Sequence, residues 1–237
     1  MPTYVYGITG ADHPLRLEEV FGVGESPAPL RTVRTDTLTA VVSDAPDGLR
    51  AKRRDVQAHQ RVLEVLMSDG ATLPMRFGLL APDDDQVASA LDAEGDRYRA
   101  RLDELDGHVE YHLKAARDED DLLREIVTHS DRVRELRERT RDQPGAHDER
   151  VALGELISHE VSARSSAEAD DLTQRLAPAA TRLSPGEPSS THFLNVSFLV
   201  PEDGVETFVQ AVERESDQRG DAYTFTLTGP LPPYSFV

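Results

Sequence analysis

The chain has 237 residues, and its 44 acidic against 26 basic side chains give a formal net charge of −18, a field that repels phosphate backbones and anionic lipid. No basic patch interrupts it, because the arginines alternate with carboxylates, and the absence of cysteine removes disulfides, thiolate metal sites and cysteine nucleophiles. The opening Met1-Pro2-Thr3-Tyr4-Val5-Tyr6-Gly7 lacks the character of a signal peptide, and no run approaches the ~18 apolar residues of a membrane span, so a cytoplasmic protein of one large or two modest domains is expected, binding neither nucleic acid nor membrane.

Thr3 to Ile8 reads as a strand, and Leu15 to Phe21 as one or two helical turns. Gly22 to Pro29, with its glycines and prolines, is loop. Leu30 to Arg34 and Leu38 to Ser43 predict a hairpin turning at Thr35-Asp36, with Leu38, Ala40 and Val42 alternating against Thr39 and Val41. Arg50 to Ser68 is a helix whose stripe is Val56, His59, Leu63, Leu66 and Met67, stopped at Gly70. A short strand over Ala71 to Met75 precedes a helix that opens on Asp83-Asp84-Asp85 and runs to about Leu105, with Gly95 weakening its middle. This order predicts an N-terminal α/β domain, residues 1–106, of ferredoxin-like arrangement with the last helix appended.

His108 to Lys114 alternates polar and apolar residues, as a half-buried strand does. Asp118 to Arg141 predicts one helix, acidic at its start and arginine-rich at its end, broken by Gln143-Pro144-Gly145. A long helix follows from about Asp148 to Ala177, then a Pro/Ser/Gly linker from Thr181 to Ser190. His192 to Val200 is the clearest strand. Asp203 with Glu206 forms a capping box for the next helix, and Tyr223, Phe225 and Leu227 alternate with threonines in a final strand. The expected whole is α+β: a second domain, residues 107–237, is a modified ferredoxin-like sheet with long helices and a C-terminal arm.

The sequence contains no phosphate-binding, hydrolase-elbow, zincin or CxxC motif. Gly22-Val23-Gly24 starts like a dinucleotide loop but meets Pro27 and no strong helix. His108 and His112 share a strand face about 13 Å apart, too far for one metal. His59 and His129 lie on apolar helical stripes and read as hydrogen-bonded core or edge histidines. Asp83-Asp84-Asp85 and Asp118-Glu119-Asp120-Asp121 sit where helices start, where capping accounts for them. Asn195-Val196-Ser197 fits a glycosylation sequon but falls inside a core strand. No catalytic residue, metal or cofactor is expected.

Two segments remain. In Leu73-Pro74-Met75-Arg76-Phe77-Gly78 the proline ends the strand and leaves Arg76 and Phe77 at its exit, where they read either as a buried Phe77 plug with Arg76 pairing a carboxylate or as a surface-presented pair of the residue types that dominate interface hot spots. The tail Gly229-Pro230-Leu231-Pro232-Pro233-Tyr234-Ser235-Phe236-Val237 cannot extend a helix and reads as an extended arm, pinned to a body or a partner through Tyr234 and Phe236. Arg76, Phe77, Tyr234 and Phe236 are therefore the candidate partner-binding residues.

Together with Tyr4-Val5-Tyr6-Gly7-Ile8, His59 and Glu110-Tyr111 before Lys114, these segments occur in the order of the landmarks of the gas vesicle protein F/L family, which the chain resembles throughout its length. The tail departs from the family pattern at Leu231, where tryptophan is usual. The resemblance implies a non-enzymatic accessory protein of gas vesicle assembly, vesicle-associated, with an α/β N-terminal domain and a modified ferredoxin C-terminal domain. It also implies partners: the very apolar wall structural protein and other accessory proteins, met in a chaperone-like or nucleating role. Without the resemblance, the elements also suit a ligand-sensing regulatory protein of two ferredoxin-like units, or a cofactor-free enzyme using His59 or His112.

Overall fold

The computed structural model describes residues 1–141, 147–187 and 191–237. They form two compact units, one of residues 1–111, 199–202 and 229–237, the other of residues 112–198 and 203–228. The units are not contiguous in sequence, whereas periodicity had suggested a single cut near residue 106; the chain's last nine residues belong with its first unit.

The first unit opens with β1 (Thr3–Gly10) and the hairpin β2 (Arg31–Arg34) and β3 (Leu38–Asp44), followed by α1 (Arg53–Asp69), β4 (Thr72–Pro74), β5 (Leu80–Ala81), α2 (Asp84–Ala93) and α3 (Gly95–Leu105). The sheet order is β2-β3-β1-β4 with β5 also pairing β1, every pairing antiparallel. Both faces are covered. Tyr4, Tyr6 and Val41 pack with Val62, Leu63 and Leu66 of α1, while Val5, Ile8, Leu38, Ala40 and Val42 pack with Val87, Leu91, Leu102 and Leu105 of α2 and α3. Strict alternation would put Ile8 on the side of Tyr4 and Tyr6. The register shift between Val5 and Gly7 is a bulge that re-aims it.

Three expectations for this unit change. Leu15 to Phe21 forms turns rather than helix, because Leu15 after Pro14 takes φ 52°, a left-handed conformation no helix can start from. In α1 the buried stripe is His59, Val62, Leu63 and Leu66, and Val56, in the first turn, is exposed. The helix expected over 83–105 is two, divided at Glu94, whose φ −107° and ψ 13° leave the helical range just before Gly95. Asp83 caps α2 as its position implied, its carboxylate accepting from the Gln86 amide at 2.9 Å.

The second sheet runs β7-β8-β6-β9, from β6 (His108–Arg117), β7 (Arg182–Pro185), β8 (Leu194–Pro201) and β9 (Tyr223–Leu231). Between β6 and β7 come α4 (Glu119–His129), α5 (Asp131–Arg141) and α6 (His147–Leu176); α7 (Val205–Arg219) joins β8 to β9. This is a βαββαβ run with the first crossover expanded into three helices, the modified ferredoxin arrangement expected. The single helix predicted over 118–141 breaks at Ser130, which adopts extended dihedrals and donates its hydroxyl to Glu160 of α6 at 3.1 Å. The bend brings Val133 of α5 into one cluster with Leu122 and Ile126 of α4 and Leu153, Leu156 and Ile157 of α6. Part of the expected linker is strand β7. The capping box does not form, since α7 starts at Val205 behind Gly204 with no side-chain cap. Gln143-Pro144-Gly145 and residues 188–190 lie outside the described residues.

Candidate partner-binding surface

The Leu73–Gly78 segment leaves the sheet where β4 ends at Pro74, which has no amide to give. Met75 still donates its amide to the Tyr6 carbonyl at 2.9 Å. The next four residues make a tight turn closed by the Leu79 amide on the Arg76 carbonyl at 3.2 Å. Gly78 sits at its third position with φ 88°, which a type II turn requires there. β5 then rejoins β1, with Leu80 opposite Tyr4.

A buried polar network anchors this turn. The His59 Nε2 lies 3.0 Å from the Met75 carbonyl and must donate to it, so Nδ1 accepts from the Tyr4 hydroxyl at 2.8 Å. That hydroxyl in turn accepts the Gly78 amide at 3.2 Å. Every polar atom of the chain of bonds is used, as burial demands. Burial holds the His59 pKa below its usual value, so the neutral ring is favoured, and burial likewise raises Tyr4. The Phe77 ring packs edge-on to His59 at 5.7 Å and to Tyr4 at 6.0 Å. Beneath, Tyr6 bonds Ser43 Oγ at 2.9 Å and accepts from the Val23 amide at 2.9 Å.

Arg76 is exposed at the turn, as its position predicted. Phe77 is half-buried in the Tyr4–Tyr6 cluster, as the plug reading expects, and Tyr234 of the tail packs against that same cluster. Burial followed by the nearby Glu110 charge pushes the Tyr234 hydroxyl up to about 12. Phe236 is only 4% exposed, within the cluster on the other face of the sheet, and holds the tail rather than facing outward. The tail is pinned as its composition implied: it is extended while β9 continues to Leu231, and then Tyr234–Phe236 form a single 3-10 turn rather than a continued arm. Glu110, itself buried, accepts from the Ser235 amide at 2.8 Å and hydroxyl at 2.7 Å. Gly229 lets the strand turn in: with φ 155°, a Cβ there would stand 2.5 Å from the Tyr111 ring. The sequence landmarks at Tyr4, His59, Arg76–Phe77, Glu110–Tyr111 and the tail are thus neighbours within one unit.

Sequence reasoning missed Leu79 and Leu80. They are 44% and 48% exposed beside Arg76, and the only signal was an apolar pair directly after the turn glycine. The other histidines singled out in the sequence are engaged: His108 Nδ1 lies 2.7 Å from the Asp106 carbonyl, His112 Nε2 lies 2.6 Å from Asn195 Oδ1, and His129 Nδ1 lies 3.1 Å from the Glu125 carbonyl. Among the described residues no three histidine or acidic side chains are placed to hold a metal ion. No helix among them is long and apolar enough to cross a membrane.

Residues 2–237 match the family described as "Gas vesicle synthesis protein GvpL/GvpF". The chain belongs to this family. It is 41% identical to "Gas vesicle protein F" of Streptomyces sp. (strain CB03234), covering all of both chains. It is 27% identical to "Gas vesicle protein L" of the same strain, over 99% of this chain and 92% of that one. Its fold is similar to the crystal structures of GvpF from Anabaena sp. PCC7120, with TM-score 0.84 and 23% identity over 99% and 97% of the two chains, and from Microcystis aeruginosa, with TM-score 0.81 and 23% identity over 99% and 98%. In this GvpL/GvpF family member, Tyr4 and His59 tie β1 to the Arg76 turn, and Glu110 holds the tail.

Proposed function

We propose that this protein is a non-enzymatic, cytoplasmic assembly factor of gas vesicles that binds the apolar wall structural protein and other accessory proteins. The observation that carries the reading is the match over the full length of both chains to a gas vesicle protein F. The higher identity to that relative than to the L protein of the same strain supports an F-type role. A wall subunit destined for a water-excluding shell exposes apolar surface before it is incorporated, and an acidic partner covering that surface keeps it dispersed. The docking surface we assign includes the Arg76 turn, where a guanidinium stands beside two exposed leucines on a rigidly backed loop, within an interface on the order of 1,600 Å². Phe77 and Tyr234 support that turn from beneath, and Phe236 anchors the tail.

The test is co-purification of the wall protein with the wild-type chain and with a variant carrying Arg76→Ala, Leu79→Ser and Leu80→Ser. All three positions are exposed, so the variant keeps its fold. Loss of co-purification with an unchanged melting temperature is the expected result. Undiminished capture by the folded variant would move the surface elsewhere. Failure of the wild-type chain to capture the wall protein would remove the partner itself.

A further inference from the structure

An exposed sheet edge is normally blunted by charge, proline or shortness, because its unpaired backbone groups invite another strand. Three edges here follow that rule. β2 carries an arginine at each end, β4 and β5 are three and two residues long, and β7 holds Arg182 and Pro185. β9 is the exception. It pairs β6 on one side and, among the described residues, no strand on the other. From Tyr223 to Thr228 it has neither charge nor proline. The Ala222 carbonyl accepts the Asp118 amide of the β6 side at 2.8 Å. The alternation of an antiparallel ladder then turns the amides and carbonyls of Phe225 and Leu227 to the open side.

Two further features separate this edge from a merely uncovered strand. The first is charge: Ala222 to Val237 contains no charged residue, in a chain that is 30% charged. Packing of the tail accounts for that from residue 229 onward. It does not account for Thr224, Thr226 and Thr228, which are exposed where this chain otherwise places arginine and carboxylate. The second feature is the row on the opposite face. Tyr223 is tied to α6, its hydroxyl donating to Glu168 at 2.9 Å, but Phe225 and Leu227 on the same face stay half-buried. A strand added at the edge satisfies the open backbone groups and covers both side chains at once. The neutral run decides which strand. A two-fold contact sets a patch against its own copy, and on a molecule of net charge −18 a carboxylate-rich patch repels itself. β9 meets its copy with no like charge facing it.

We propose that β9 is the contact between two copies of this protein, paired antiparallel about Phe225, with Thr224 of one copy opposite Thr226 of the other. The contact does not depend on what the Arg76 turn binds. Six edge residues cover less than the roughly 1,200 Å² at which stable interfaces begin. The dimer is therefore weak, filling at high protein concentration and more at high salt, where repulsion between copies is screened. The test is sedimentation equilibrium of the full chain from about 5 to about 500 μM, in about 0.05 M and about 0.5 M salt. The mean mass should climb from 26.2 kDa towards twice that value and stop there, since each copy has one such edge. Thr224→Lys with Thr226→Lys sets lysine opposite lysine and should weaken dimerisation at least about tenfold, although it lowers the net negative charge. Ser162→Lys with Gln174→Lys, at exposed positions of α6, changes the net charge equally and should weaken it less than about twofold or strengthen it. A monomer at every concentration, growth beyond a dimer, or equal behaviour of the two double variants would each overturn the proposal. If the edge double variant does not fold, Thr226→Lys alone decides the matter: weakening of about threefold supports the pairing, and no change rejects it.

Discussion

His59 is held neutral by burial while it joins β1 to the Arg76 turn. Its folded pKa is lower than the 6.5 of an exposed imidazole, so the unfolded chain takes up the proton first. Stability is therefore intact above pH 6.5 and is lost progressively as pH falls below that value. His59→Gln can keep both hydrogen bonds without titrating, so its melting temperature should fall less than that of the wild type between pH 7 and 5.5. Parallel curves would place the titration elsewhere. A second acid window belongs to Asp84, held at about 2 by the Arg31 guanidinium and then by the Thr3 hydroxyl. Its contribution is present above 3.8 and disappears as pH falls towards 2. The burial of His59 was legible because it lies on an apolar stripe. The Asp84 pair was not: three adjacent aspartates read as a helix start, and nothing local announces a partner 53 positions earlier.

At the scale of elements, the helix and strand types were largely legible, since each depends on periodicity within a short window. Breaks were legible only where a residue announces them. Gly95 marked only a weak middle of one helix, not the break beside it at Glu94; it has open space around its Cβ position without a left-handed backbone, so Gly95→Ala should stabilise the protein by about 0.5–1 kcal/mol in urea denaturation. Ser130 did not announce the α4–α5 break, because that bend is imposed by packing Val133 onto α4 and α6. The tail was legible as pinned but not where, since its acceptor Glu110 is distant in sequence. Ser235→Ala should cost about 1.5–3 kcal/mol, the worth of one hydrogen bond to a charged group. Removing Ser235–Val237 should cost about 3–6 kcal/mol, from the lost burial of Phe236 and of both donors to Glu110. A truncated chain as stable as the wild type would mean that the tail only lies on the surface.

For the whole molecule, the net charge of −18 makes self-repulsion a general load on the folded state. Raising salt from about 0.05 to 1 M shortens the screening length to roughly 3 Å and should raise the melting temperature, with the gain in dilute buffer largest. The second unit was readable from the chain in three of its four strands, whereas β7, four residues of mostly exposed side chains inside the Pro/Ser/Gly stretch, carries no alternation to announce it. The first unit was less so, because Leu15 to Phe21 does not form the crossover helix a ferredoxin-like arrangement needs. Its membership also draws on residues 229–237, a return that no local pattern records. That return has a consequence for synthesis. The ribosome delivers residues 1–111 first, yet the Ser235 donors that satisfy Glu110 are made 125 positions after it, and the Phe236 side chain that completes the packing follows them. Vectorial folding of this chain therefore cannot finish its opening unit early, and the cooperativity of that unit waits for residues 229–237.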